Sequence, residues 1–244
     1  MSDPVSGGTD ELARFQRSYS RRGLLIRYAS GRVSHFVNRQ FLTLVGGGAL
    51  WLMNGPLSGI GAMALALLGE AVDCLYLRWA ARALNERGPL RRIYTISTVT
   101  AGFQAVTISL CVAMAWFGPV SHLSPLFAIG FLSGAVANAG LVMPFHPAAA
   151  IARLGVYAVA VFTIFFVSMV LPGSVGWFLV MNAFGTLMLA YMVHTFLSFV
   201  TTGFRLNRDN TLALIEKGRE LSRTNEQLTQ RQKEAQQLSL VARN

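Results

Sequence analysis

The sequence predicts an all-α protein in which a bundle of six transmembrane helices is followed by a cytoplasmic coiled-coil helix. Three observations support this. Hydrophobic residues make up 53% of the 244 residues and charged residues only 13%, which lies outside the range of ordinary soluble domains. Long apolar stretches fill the chain between Gln40 and Phe199. After Phe204 the chain turns polar and carries a leucine at every seventh position.

The first segment, residues 1–37, is predicted to be cytoplasmic. Residues 1–19 have few apolar side chains, which predicts little regular structure there. Between Ser20 and Gln40 five arginines alternate with apolar residues, a pattern that suits a helix lying in the head-group layer with its arginines on lipid phosphates. A basic flank that only orients the next helix explains the same charges, and the sequence leaves both readings open.

The second segment, residues 38–200, is predicted to be the six-helix membrane domain. Its apolar stretches are 38–54, 57–78, 92–117, 124–143, 152–171 and 177–199. At about 1.5 Å per residue each can cross a hydrocarbon layer of about 30 Å, the first only if it starts near Asn38. The domain should therefore cross the membrane six times.

The distribution of basic residues predicts that both ends of the chain are cytoplasmic. The turns at 54–56, 118–123 and 172–176 contain no Lys or Arg, whereas the turns on the other side are basic. Basic loops remain on the cytoplasmic side of a membrane. The formal net charge of +10 is thus explained by lipid head groups rather than by nucleic acid.

Four polar residues within the apolar stretches form the predicted sensing site: Glu70, Asp73, Asn138 and His194. If the second, fourth and sixth stretches pack together, these residues converge on one pocket that can hold a proton, a cation or a small polar ligand. In the alternative, Asp73 pairs with Arg78 and anchors the helix end, and the histidine is a packing residue.

No metal, cofactor or catalytic residue is expected. The histidines lack the helical spacing of metal ligands. Cys74 and Cys111 lie singly in apolar stretches, which predicts buried, inert thiols. An intramembrane enzyme is disfavoured because no nucleophile lies beside a base.

The third segment, residues 201–237, is predicted to be a dimeric coiled-coil linker. Leu214, Leu221 and Leu228 recur every seven residues and Ala235 continues the row. The positions where a tight coil wants a second leucine hold polar residues instead, namely Lys217, Thr224 and Arg231. The coil should therefore be marginal and able to rotate or slip.

The end of the chain resembles signalling proteins of bacteria. Residues 220–228, ELSRTNEQL, resemble the signalling helices of sensor histidine kinases and diguanylate cyclases. Residues 237–244, QLSLVARN, resemble the lead-in helix and first residues of a PAS domain, and 238–244 are taken as the start of that domain. The six-helix part is similar in layout to the multi-pass sensor regions that precede such modules.

The resemblance implies that the chain is the input half of a longer receptor, most simply a histidine kinase of a two-component system. It implies a homodimer in contact with membrane lipid and a response regulator downstream of the kinase, with no catalytic residues in this segment. The alternatives are the input module of a diguanylate cyclase and, from another class, a small cation- or proton-coupled transporter that uses Glu70, Asp73 and His194.

Overall fold

The computed structural model of the chain describes the backbone of residues 4–86, 88–118, 124–170 and 176–241. Within these ranges it does not describe the side chains of residues 4–11, 124–126, 177–179, 182 and 236–241. The predicted turns at 118–123 and 172–176 lie largely outside the described residues, as do the last three residues of the predicted PAS start at 238–244.

The described part of the chain consists of eight α-helices without a strand. They are α1 (Pro4–Tyr19), α2 (Arg21–Ser34), α3 (Phe36–Asn54), α4 (Pro56–Asn85), α5 (Leu90–Trp116), α6 (Ser124–Val142), α7 (Pro147–Val170) and α8 (Gly176–Val241). The all-α prediction is confirmed. The expectation of little structure in residues 1–19 is wrong from Pro4 onward, because α1 is helical.

Four of the described helices are long and apolar enough to cross a membrane: α4, α5, α7 and α8. This points to a membrane protein. The described apolar part of α6, Phe127–Val142, is shorter than these helices. Helix α3 is not among the candidates either, since Asn38, Arg39 and Gln40 make its first turns polar. The predicted count of six spans is therefore not confirmed.

The chain divides into two compact units, of which the larger comprises residues 24–201. Its apolar core has one part formed by α3 to α7, around Leu50, Val112, Leu132 and Tyr157. Neighbouring helices approach closely in this unit. At Gly69 of α4 even a methyl group would overlap the side chain of Thr107 on α5.

Part of α2 is buried in the core of the larger unit, whereas the side chains of Arg21 and Arg27 are exposed. Leu25, Tyr28 and Ala29 are buried in a second part of the core, together with Leu77 of α4 and Ile93 of α5. Arg32 is only 4% exposed. The expectation of an interfacial helix with phosphate-binding arginines is therefore wrong for Arg32, because this side chain is enclosed by protein.

Within the larger unit, the apolar part of α8 is only lightly packed. Val193 lies against the core, and the side chains of Phe196 and Leu197 approach Gly140 of α6. Most of the other described large side chains between residues 180 and 199 are exposed, as Phe184 and Tyr191 illustrate. Helix α8 is thus held by a narrow stripe of contacts.

The smaller unit comprises residues 1–23 and 202–244. Its polar section of α8 carries the predicted coil positions, and Leu214, Leu221 and Leu228 are 70%, 71% and 55% exposed in the single chain. Ala235 is exposed as well. A leucine row that is exposed in the described part of a single chain is free to pack against a second copy in a two-stranded coil.

Candidate functional site

The most polar place in the larger unit is a buried cluster of five charged side chains, here called the charged cluster. It consists of Arg32 from α2, Arg39 from α3, Glu70 and Asp73 from α4, and Arg153 from α7. Glu70 and Asp73 lie three residues apart, so α4 presents both carboxylates on one face. The arginines come from three other helices, and the cluster therefore joins distant parts of the sequence.

Both carboxylate oxygens of Glu70 accept hydrogen bonds. Arg32 Nη2 donates to Oε1 and Oε2 at 3.2 Å, and Arg39 Nε donates to Oε1. Gln104 Nε2 of α5 donates to Oε2 at 3.2 Å. Arg39 Nη2 also reaches the backbone carbonyl of Arg32, which ties α3 to the end of α2.

Asp73 is fully buried, and both of its carboxylate oxygens also accept hydrogen bonds. Its Oδ2 accepts from Arg32 Nη2 at 3.0 Å and from Arg153 Nη2 at 2.8 Å, and its Oδ1 accepts from Thr100 Oγ1 at 2.9 Å. Arg153 Nη2 also donates to the phenol oxygen of Tyr28 at 3.3 Å. A buried carboxylate is tolerated only with such partners, since an unpaired charge in a low-dielectric interior is very costly.

The cluster is cationic overall, because three guanidinium groups face two carboxylates. Every oxygen of Glu70 and Asp73 accepts from a protein donor, whereas Nε and Nη1 of both Arg32 and Arg153 have no hydrogen-bond partner in the described part of the chain. Burial alone would lower the pKa of Arg32, but the Glu70 and Asp73 carboxylates outweigh burial and raise it above its usual value. The cluster can clamp helices together, but it offers no free carboxylate to a cation.

The predicted sensing site is only partly assembled. Glu70 and Asp73 meet in the charged cluster, but Asn138 is half-buried and His194 is exposed. Within the described residues, no hydrogen bond or ion pair joins either of them to the two carboxylates. Asp73 pairs with Arg32 and Arg153 rather than with Arg78, the partner considered in the alternative.

A second buried polar group, His146, lies beside the charged cluster in the turn between α6 and α7. Its ring stacks on Tyr94 at 4.2 Å between ring centres and meets the edge of Tyr28 at 5.0 Å. The Ala149 N–H donates to Nδ1, so the proton of the neutral ring is on Nε2, which contacts Ser97 Oγ at 2.7 Å. Ser97 Oγ in turn donates to the Tyr94 carbonyl, so the neutral imidazole, the Ser97 hydroxyl and this carbonyl form a chain of hydrogen bonds.

Acidification should destabilise the protein through His146. Burial, followed by the nearby Arg153 charge, lowers the pKa of His146 from 6.5 to about 4. The unfolded chain therefore binds more protons than the folded one between about pH 4 and 6.5. Stability is complete above about pH 6.5, falls as the pH drops through this window, and loses up to about 3 kcal/mol.

The measurement is thermal unfolding in detergent micelles at pH 7.5, 6, 5 and 4, with His146→Phe beside the parent protein. The variant should not show the loss of stability between pH 4 and 6.5 that the parent protein shows. His35→Gln, at an exposed position, is the matched control and should keep it. An equal acid response in the His146 variant would contradict the assignment.

The described residues contain no group of three or more His, Cys, Asp or Glu side chains that could hold a metal ion. Cys74 and Cys111 are both buried and free. Cys74 touches the charged cluster, with Arg39 Nη2 3.3 Å from its sulfur. It contributes a weak acceptor there, and its burial keeps it from solution reagents.

Sequence reasoning identified the carboxylates and missed their partners. Arg32 and Arg39 were expected to contact lipid phosphates or to orient the next helix, and Arg153 was counted only among the basic residues of the cytoplasmic side. A signal was present, since two carboxylates inside apolar stretches require cations nearby. Arg39 and Arg153 each lie at the start of an apolar stretch and were therefore available as partners.

Comparison with known proteins assigns the chain to no family, because no family model, curated protein or solved structure matches it.

Proposed function

We propose that the chain is a membrane-embedded sensory input module that relays a stimulus through a dimeric coiled coil to a cytoplasmic histidine kinase. The module belongs to a two-component system of the bacterial inner membrane, and both of its termini are cytoplasmic. Its partners are a second copy of the chain, membrane lipid and, through the kinase, a response regulator. The basic residues on one side of the apolar stretches support the orientation.

The observation that carries the proposal is the composition of α8. This helix runs from Gly176 to Val241 as one element, and its first part is apolar while its later part presents an exposed leucine row. A helix that is apolar at one end and ready to pair at the other is suited to carry a rotation or a piston movement. Polar residues at Lys217 and Thr224 weaken the coil, which favours two packings of similar free energy.

The charged cluster supports the same reading by showing which helices are fixed. Its charged members and hydrogen-bond donors come from α2, α3, α4, α5 and α7. The described part of α8 contributes no member, and in the larger unit it makes apolar contacts along a narrow stripe. A helix without buried ion pairs can shift at lower cost than one that must break them.

A diguanylate cyclase is the one alternative for the output domain. The input module of such a cyclase would use the same dimeric stalk, so α8 would act in the same way. The sequence of the output domain that we propose distinguishes the two, since a kinase carries a phospho-acceptor histidine and a cyclase a Gly-Gly-Asp-Glu-Phe loop.

A proton- or cation-coupled transporter is the second candidate, and the charged cluster argues against it. Transport needs a carboxylate that can bind and release a cation, whereas Glu70 and Asp73 are occupied by arginines. The whole chain in liposomes should therefore give no proton or cation flux under an imposed gradient. Flux that disappears in Asp73→Asn would favour transport over sensing.

Cysteine cross-linking tests the dimeric stalk. Leu214→Cys, Leu221→Cys and Leu228→Cys should each form a disulfide-linked dimer in membranes, since these positions face each other in a parallel coil. Arg219→Cys and Arg223→Cys lie on the opposite side of the helix and should cross-link weakly. The native cysteines add little background because both are buried. Equal yields at all five positions would contradict a specific coil.

A further inference from the structure

The larger unit contains an apolar cavity of about 160 Å³ that is partly open at its surface, where Ile129 and Gly185 are exposed. Its wall is formed by residues of α5, α6, α7 and α8, among them Val112, Leu132, Ile164 and Leu189. Arg153, in the charged cluster, precedes Ile164 by eleven residues on α7. At 1.5 Å per residue the cavity thus lies about 16 Å further along the helix. It belongs to a different part of the fold from the charged cluster.

The chemistry of the wall excludes water and ions as occupants. Aliphatic and aromatic side chains form it, with Thr186 as an exception. The indole N–H of Trp116 is already engaged, because it donates to Ser168 Oγ at 3.0 Å. A buried water needs two to four polar partners, and a cavity of about 150 Å³ lined by Leu, Ile and Phe stays dry and binds benzene.

The dimensions distinguish a ring from a lipid chain. On each of the four helices the lining residues fall within five consecutive positions, so the cavity extends about 6 Å along the helix axes. An extended acyl chain is several times longer and would need a groove along the helices. A single six-membered ring fits both the length and the volume. Trp116 and Phe165 supply aromatic surface against which such a ring can pack.

We propose that this cavity binds a small monocyclic hydrocarbon that is dissolved in the bilayer. The bound ring contacts α5, α6 and α7 on one side and Gly185 and Leu189 of α8 on the other. Because α8 is otherwise lightly packed, a ligand in this position changes what holds α8 against its neighbours. The inference rests on the proposed function only where it treats α8 as the output helix.

Gly185 offers a direct way to fill the cavity. A Cβ at this position would meet no atom within 4 Å, so the space beside it is open. Gly185→Leu places a side chain into this space and should exclude the ring. Gly203→Leu is the matched control, since Gly203 is also on α8, is equally open and does not line the cavity.

The test is thermal unfolding of the whole chain in phosphatidylcholine nanodiscs with benzene, toluene or n-hexadecane. Benzene and toluene should raise Tm saturably, by about 5 °C at a hundred times Kd. Gly185→Leu should abolish the rise and Gly203→Leu should keep it. If Gly185→Leu fails to fold, Leu132→Ala provides the second variant, because it enlarges the cavity and should shift preference from benzene to naphthalene.

The outcomes separate this proposal from the proposed function. A benzene effect that persists in Gly185→Leu, or a hexadecane effect that Gly185→Leu removes, would overturn the assignment to a small ring. Comparing the cross-linking of Leu221→Cys with and without benzene shows whether binding in the cavity changes the packing of the stalk. A specific rise in Tm without any change in cross-linking would confirm the binding site and contradict the relay to the stalk.

Discussion

Replacing Asp73 with alanine is expected to lower the free energy of unfolding by about 3–5 kcal/mol. The substitution removes the shared acceptor of Arg32 and Arg153, whose side chains are 4% and 2% exposed. Arg153 then loses its carboxylate partner while it stays enclosed by protein, and Arg32 is left with Glu70 alone. The measurement is chemical unfolding in mixed micelles, followed by circular dichroism.

Two controls separate charge from packing. Asp209→Ala breaks the exposed pair with Arg208 and should cost at most about 1 kcal/mol. Asp73→Ala combined with Arg153→Met should recover part of the loss, because the guanidinium group that loses its carboxylate partner is removed as well. A loss for Asp73→Ala no larger than that of the surface control would contradict the burial of the charged cluster.

Dimerisation of the stalk is expected to be lost when Leu221 and Leu228 are both replaced by aspartate. In a coiled dimer these leucines insert between residues of the partner, and four carboxylates would have to be buried in their place. We expect Kd for the dimer to rise at least about 100-fold, as measured by sedimentation or by single-molecule photobleaching in nanodiscs.

The matched control introduces the same two charges on the opposite side of the helix, through Arg223→Asp and Gln230→Asp. This variant should remain dimeric. An unchanged monomer–dimer equilibrium in the leucine variant would contradict the coiled coil. Loss of the dimer in both variants would point to general destabilisation of the helix.

The helical nature of the fold could be read from the sequence because it follows from composition and period. Long apolar stretches without charges favour helices that satisfy their own backbone groups in lipid. The number of spans was harder to predict. Asn38, Arg39 and Gln40 sit at the start of α3, and hydropathy cannot tell whether a polar turn faces lipid, water or another helix.

Only the two carboxylates of the charged cluster could be predicted from the sequence. The spacing of Glu70 and Asp73 places two carboxylates on one face of a helix, which is local information. Their arginine partners are 31 to 80 residues away in sequence, and the sequence does not fix which arginine reaches them. Arginines at the ends of apolar stretches serve equally well as lipid anchors, so their position in the sequence does not reveal a buried carboxylate partner.

The cavity had no signal in the sequence at all. Its wall is made of residues that would look like ordinary core on any apolar helix, such as Val112, Leu132 and Ile164. A void arises from how four helices fail to fill the space between them, and this depends on packing at the level of single side chains. Gly185 is conspicuous only once its open surroundings are known.

The most direct test of the central claim is an insertion scan in the stalk, with a reporter histidine kinase joined after Asn244. One to seven alanines are inserted between Arg208 and Leu214, and autophosphorylation is measured in membranes. Each insertion rotates the apolar part of α8 relative to the leucine row. We predict an output that oscillates with a period of about 3.5 residues and returns near the starting value at seven. An output that is independent of the insertion, or that falls steadily with its length, would contradict a relay through a continuous helix.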